Sequence, residues 1–161
     1  MAEPDEIYER YLARAIKAMN ALGDEVTDAD DADDPASAPV LGSGHPLADI
    51  MLLKARPRPA EVQEGVAFFG RAGSAILKSV TRVGIDPLVI YGTNCAKRTT
   101  DDLEAADGLS AQFLLREIHI TEPKIIITPN IDESLDDDAA KRRFWKAFQE
   151  LGRWYAALPP Y

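Results

Sequence analysis

Apolar residues recur at three- and four-residue spacing through Ile7, Tyr11, Ala15, Met19 and Leu22, behind a proline at position 4 that suits a first helical turn. The spacing predicts an amphipathic helix over residues 1–22. The periodicity then stops. Residues 23–39 (GDEVTDADDADDPASAP) bury nothing and repel themselves, which predicts an acidic, flexible linker. From residue 40 to 161 short apolar runs alternate with helical stripes. The runs at 48–53 (ADIMLL), 88–91 (LVIY) and 124–128 (KIIIT) read as strands. Between and after them, 70–83, 103–121 and 137–158 place Ile76 and Val80, Phe113 and Ile118, and Trp145, Leu151 and Tyr155 at helical spacing. This alternation predicts an α/β domain: a three-layer α/β/α arrangement around a short parallel sheet. Ligands of such sheets bind beyond the carboxyl ends of the strands, so the loops after Leu53, Tyr91 and Thr128 share one candidate rim.

Composition changes this picture in two places. The 161 residues are 46% hydrophobic, enough for one core, and 18 Lys+Arg against 27 Asp+Glu give a net charge of −9. That is the wrong sign for holding a polyanion by bulk charge. Seven of the acids lie within residues 23–34, however, so the rest of the chain is close to neutral and can present a local basic face. The single cysteine, Cys95, excludes an internal disulfide, a CxxC zinc module and a four-thiolate iron–sulfur cluster. No metal or cofactor is expected. No apolar run reaches bilayer-spanning length and the first residues have no secretory pattern, so a cytoplasmic monomer with no membrane partner is the default expectation.

The chemistry-bearing residues cluster on the candidate rim. Lys54, Arg56 and Arg58 follow the first strand, spaced by Pro57 and Pro59, which are expected to hold the segment extended. They read as phosphate contacts or as a solvated basic loop. Residues 65–73 (GVAFFGRAG) set glycines and Arg71 before a helix N-terminus, where an anion is favoured. Phe68 and Phe69 offer a stacking platform for a base or, alternatively, core packing. Asn94 lies in the rim loop that ends the second strand, followed by Lys97 and Arg98. Its amide carries a donor and an acceptor suited to the edge of a heterocycle, and it equally suits a turn cap. Cys95 reads as a small buried hydrophobe, and His45 and His119 as a turn residue and a helix-end residue.

Together these residues resemble the uracil-DNA glycosylase superfamily, most closely its thermophile-type branch. The resemblance runs from about residue 40 to 124 and rests on G-V-A-F-F-G-R-A-G at 65–73, T-N-C-A-K at 93–97 and E-P-K-I-I-I at 122–127. It implies DNA base-excision chemistry, hydrolysis of the N-glycosidic bond of a uracil flipped out of the helix. Phe68 then looks like the ring that stacks on uracil and Asn94 like the side chain that reads its edge. Lys54, Arg56, Arg58, Arg71, Lys97 and Arg98 are the expected contacts for a weakly bound, salt-sensitive DNA. The chain also departs from the family pattern. The family's catalytic acid falls on Ala55, leaving Glu61 and Glu64 as the nearest replacements, and its closing His-Pro-Ser falls on Thr128-Pro129-Asn130. The family's iron–sulfur cysteines are absent, Arg98 standing at one of their positions. The interval between Ile127 and the last helix is too short for another crossover, so one strand–helix unit is expected to be missing. Two readings remain open: a glycosylase, and a catalytically silent base-binding module or degraded relative.

Overall fold

The computed structural model describes residues 3–28, 38–68, 70–98, 109–128 and 138–157. Strands β1 (Ser43–Gly44), β2 (Ile50–Lys54), β3 (Ile90–Asn94) and β4 (Ile125–Ile127) form one sheet in the order β1-β3-β2-β4. β2 pairs in parallel with β3 and with β4, and β1 is antiparallel to β3. The chain steps from β2 to β3 through α2 (Pro59–Glu64) and α3 (Arg71–Arg82), then returns past β2 to β4 through α4 (Leu109–Thr121). Right-handed crossovers in opposite directions put their helices on opposite faces. The burial follows suit. Ile50, Leu52 and Ile90 pack with Ile76 and Val80 of α3 and Leu151 of α5 (Asp138–Ala157), while Met51 and Tyr91 pack against Ile118 of α4 and Met19 of α1 (Pro4–Asp28). Alternate residues of each strand face opposite layers, as the pleat dictates. The α/β architecture expected from the sequence is therefore present, a mostly parallel sheet with helices packed on it.

Three local features differ from the expectation. α1 runs to Asp28 rather than ending at residue 22, because Leu22 and Val26 are buried beside Phe113 of α4 and the helix has a face to bury beyond the expected linker boundary. β1 comes from a stretch that reads as a turn, its two residues being too few to show alternation. Pro59 starts α2 instead of keeping the segment extended, since a proline at the first helical position loses no hydrogen bond. Residues 29–37 of the expected linker and the interval 129–137, where the strand–helix unit was expected to be missing, lie outside the described residues. Among the described residues no helix is long and apolar enough to cross a membrane.

Candidate functional site

Lys54 and Asn94 are register partners at the carboxyl ends of β2 and β3, so their side chains leave the sheet on the same face. Hydrogen bonds from Cys95 N to Lys54 O and from Ala96 N to Ala55 O, 2.8 and 2.9 Å, keep the two loops together past the strand ends. α2 lies across this end and turns Glu61 inward to 0% exposure. Its Oε1 accepts from Asn94 Nδ2 at 3.0 Å and from Lys54 Nζ at 2.7 Å. Lys54 Nζ also donates to Arg56 O and lies 5.4 Å from the centre of the Phe68 ring, a cation–π distance. Asn94 is itself 0% exposed. Among the described residues two buried acceptors, Glu61 Oε2 and Asn94 Oδ1, have no hydrogen-bond partner. Buried polar atoms are seldom left so, because the cost of desolvation is then uncompensated.

Phe68 is held over the same face by two close approaches. A side chain at Gly92 would put its Cβ 2.5 Å from the Phe68 ring, and one at Gly73 would put its Cβ 1.5 Å from the Phe68 carbonyl oxygen. The glycines at these positions thus let the ring lie on β3 and the first turn of α3 rise against Phe68. Phe68 itself has φ of 59°, a left-handed backbone that a non-glycine residue holds only when its surroundings fix it.

The other face of β3 carries a second polar cluster. Lys97 Nζ donates to Thr93 Oγ1 at 2.8 Å, to the Asn94 carbonyl at 2.7 Å and to Glu117 Oε1. The hydroxyl of Tyr91 donates to Glu117 Oε2 at 2.6 Å. Burial, and then the negative charge of Glu117, push the Tyr91 phenol well above the usual tyrosine range. Burial also raises the Cys95 thiol, the charge of Lys97 pulling the other way. Arg98 Nη2 donates to Val26 O at 2.9 Å and so caps the carbonyl end of α1.

The structure therefore brings Lys54, Glu61, Phe68 and Asn94 together. It separates others from them. Lys97 and Arg98 are buried and engaged within the protein, 3% and 7% exposed, which withdraws them from the expected phosphate contacts. Arg56 is exposed and Arg58 half-buried beside the site, and Glu64 is exposed. The side chain of Arg71 lies outside the described residues, as does Phe69. His45 accepts from Leu47 N through Nδ1 at 3.1 Å in a turn, and its own N–H bonds Ile90 O at the opposite end of β3. His119 is exposed near the end of α4. Thr128 is exposed, and residues 129 and 130 lie outside the described residues. Sequence reading missed Glu117 altogether. Its signal is positional: it shares one helical stripe with Ser110, Phe113 and Thr121, all buried, and a charge on a buried stripe needs a partner.

A curated type-4 uracil-DNA glycosylase from Sulfurisphaera tokodaii is 32% identical to this chain over 94 residues. The chain is thus distantly similar to a type-4 uracil-DNA glycosylase. The matched stretch covers 55% of this chain and 43% of that protein, so this chain matches less than half of the glycosylase's length. No family model matches the chain. The partial match agrees with the family resemblance that the motifs suggest, and the fold gathers Phe68, Gly73 and Asn94 at the carboxyl end of the sheet.

Proposed function

We propose that this chain takes up a uracil turned out of DNA, stacking it on Phe68 and reading its edge with Asn94, as a relative of the uracil-DNA glycosylases. The observation that carries the reading is the Asn94–Glu61 contact beside Phe68, with two buried acceptors left open at the strand ends. A carboxylate only accepts, so Asn94 must turn its Nδ2 to Glu61 and leave Oδ1 for a donor. The N3–H of uracil is such a donor, whereas cytosine presents a lone pair at N3 and is repelled. Arg56, with Arg58 behind it, gives the mouth of the site its positive charge for the DNA backbone, Lys54 being paired with Glu61.

Glu61 is the carboxylate within reach of the base reader, since Ala55 has no acid to offer and Glu64 is exposed. It therefore takes the role of positioning or activating water. Thr128 offers no imidazole to the departing uracil anion, and the loss of one preorganised donor costs about 10²- to 10³-fold in rate. Hydrolysis is then slow, visible with enzyme in excess and lost under multiple turnover. A second reading, a silent base-binding module, is favoured by one observation: Glu61, the carboxylate beside Asn94, is 0% exposed and already paired with Lys54.

Single-turnover assays on uracil-containing single- and double-stranded DNA decide between them. Slow uracil release, abolished by Asn94→Ala and by Glu61→Gln, supports the glycosylase. Uracil-selective binding without release supports the silent module. Neither binding nor release overturns both.

A further inference from the structure

α1 is 25 residues long and α4, which it packs against, is 13, or about 37 Å against about 20 Å at 1.5 Å per residue. The two run antiparallel. Leu22 and Val26 sit by Phe113 near the start of α4, Glu25 pairs with Arg116, and Tyr11 and Ala15 meet His119 and Ile120 near its end. Residues 4–10 of α1 therefore extend past the end of α4. The apolar stripe does not stop there. Ile7 and Tyr11 continue the line of Ala15, Leu22 and Val26, with Tyr8 adjacent, and these three are 55%, 50% and 52% exposed for Ile7, Tyr11 and Tyr8. Where the overhang begins, Tyr11, Arg14, Ala15, His119, Ile120 and Glu122 line a groove of about 260 Å³.

The charges along this overhang are segregated. Glu3, Asp5, Glu6 and Glu9 come first, and Arg10, Arg14 and Lys17 follow. Parallel pairing of two such helices sets like charge on like, and antiparallel pairing sets each acidic block against the other's basic block. Antiparallel pairing also lays the first turns of one helix along residues 11–15 of the other, where the groove lies. We propose that α1 is a self-association surface: the overhang of one copy, with Ile7 and Tyr8, seats in the groove beside Tyr11, His119 and Ile120 of a second copy, two-fold related. The acidic start of the helix then lies by Arg14 and His119, with Glu122 the one opposing charge of the groove wall. The overhang offers a few turns of one helix, so weak association is expected, with a Kd on the order of 10–100 μM.

Sedimentation velocity on the full chain, across concentrations spanning that range, tests this. The wild-type mass is expected to rise from 17.6 kDa toward twice that value. Ile7→Glu/Tyr11→Glu, both on exposed positions, should hold the monomer mass at every concentration while circular dichroism stays unchanged. Arg10→Glu/Arg14→Glu and Glu6→Arg/Glu9→Arg should each weaken association alone and recover it when mixed in equal amounts. A wild type that stays monomeric, a dimer that survives Ile7→Glu/Tyr11→Glu, or a mixture that does not recover each overturns the proposal.

Discussion

Asn94 Nδ2 donates to Glu61 Oε1 at 3.0 Å, joining the end of β3 to α2 across 33 residues of chain. Because Lys54 binds the same carboxylate oxygen, one side chain of α2 holds together the ends of two neighbouring strands. Removing it should be felt well beyond α2. Glu61→Ala leaves Lys54 without its counter-ion and Asn94 without its acceptor, and is expected to cost about 3 kcal/mol, measured by urea unfolding. Lys54→Met in the same chain should recover part of that loss. Independent, additive losses would show that the pair does not act as a unit.

Gly92 bears on the same site from below. A methyl group there meets the Phe68 ring at 2.5 Å, so Gly92→Ala must displace the ring or β3. The expected cost is about 1–3 kcal/mol of stability together with loss of any preference for uracil. Unchanged stability and unchanged preference would mean that the ring does not rest on β3.

Tyr91 links stability to alkaline pH. Its phenol is held protonated by burial and by Glu117, above the pH of ~10 at which an exposed tyrosine ionises. Above that pH the unfolded chain gives up a proton that the folded chain keeps. Stability from this group is thus whole below about pH 10 and falls as pH rises beyond it, by ~1.4 kcal/mol per unit. Urea midpoints at pH 8, 10 and 11 should fall more steeply for the wild type than for Tyr91→Phe, which at pH 8 should itself be about 1 kcal/mol less stable for want of one hydrogen bond. Equal slopes would place the alkaline transition elsewhere.

Much of the fold was legible in periodicity alone. The three parallel strands and the helices α3 and α5 lie within a residue or two of where apolar spacing puts them, save that β3 runs three residues past Tyr91, since burial on both faces of a sheet leaves a plain pattern. α1 was legible in its first five turns and not in its last, where the acids of residues 24, 25 and 28 hide the apolar face kept by Leu22 and Val26. In the site, Phe68 and Asn94 were singled out by the motifs at 65–73 and 93–97, and the structure brings both to one end of the sheet, where Gly73 permits the close approach to Phe68. Glu61 was one acid among two in a loop, and its inward turn depends on Pro59 starting a helix, which two nearby prolines disguise. Lys97 and Arg98 read as surface cations because a sequence shows charge and not its partner. Their partners, Glu117 and the carbonyls at the end of α1, lie 20 and 72 residues away.

The base reading itself is tested most directly by fluorescence anisotropy at low salt with two single-stranded oligonucleotides identical except for one uracil or one cytosine. The wild type is expected to bind the uracil strand several-fold more tightly, about 1 kcal/mol in hydrogen-bond terms, and Asn94→Ala to bind both strands alike with the wild type's affinity for the cytosine strand. Equal affinity of the wild type for the two strands, or a uracil preference that survives Asn94→Ala, would contradict the assignment of Asn94 as the residue that reads the base.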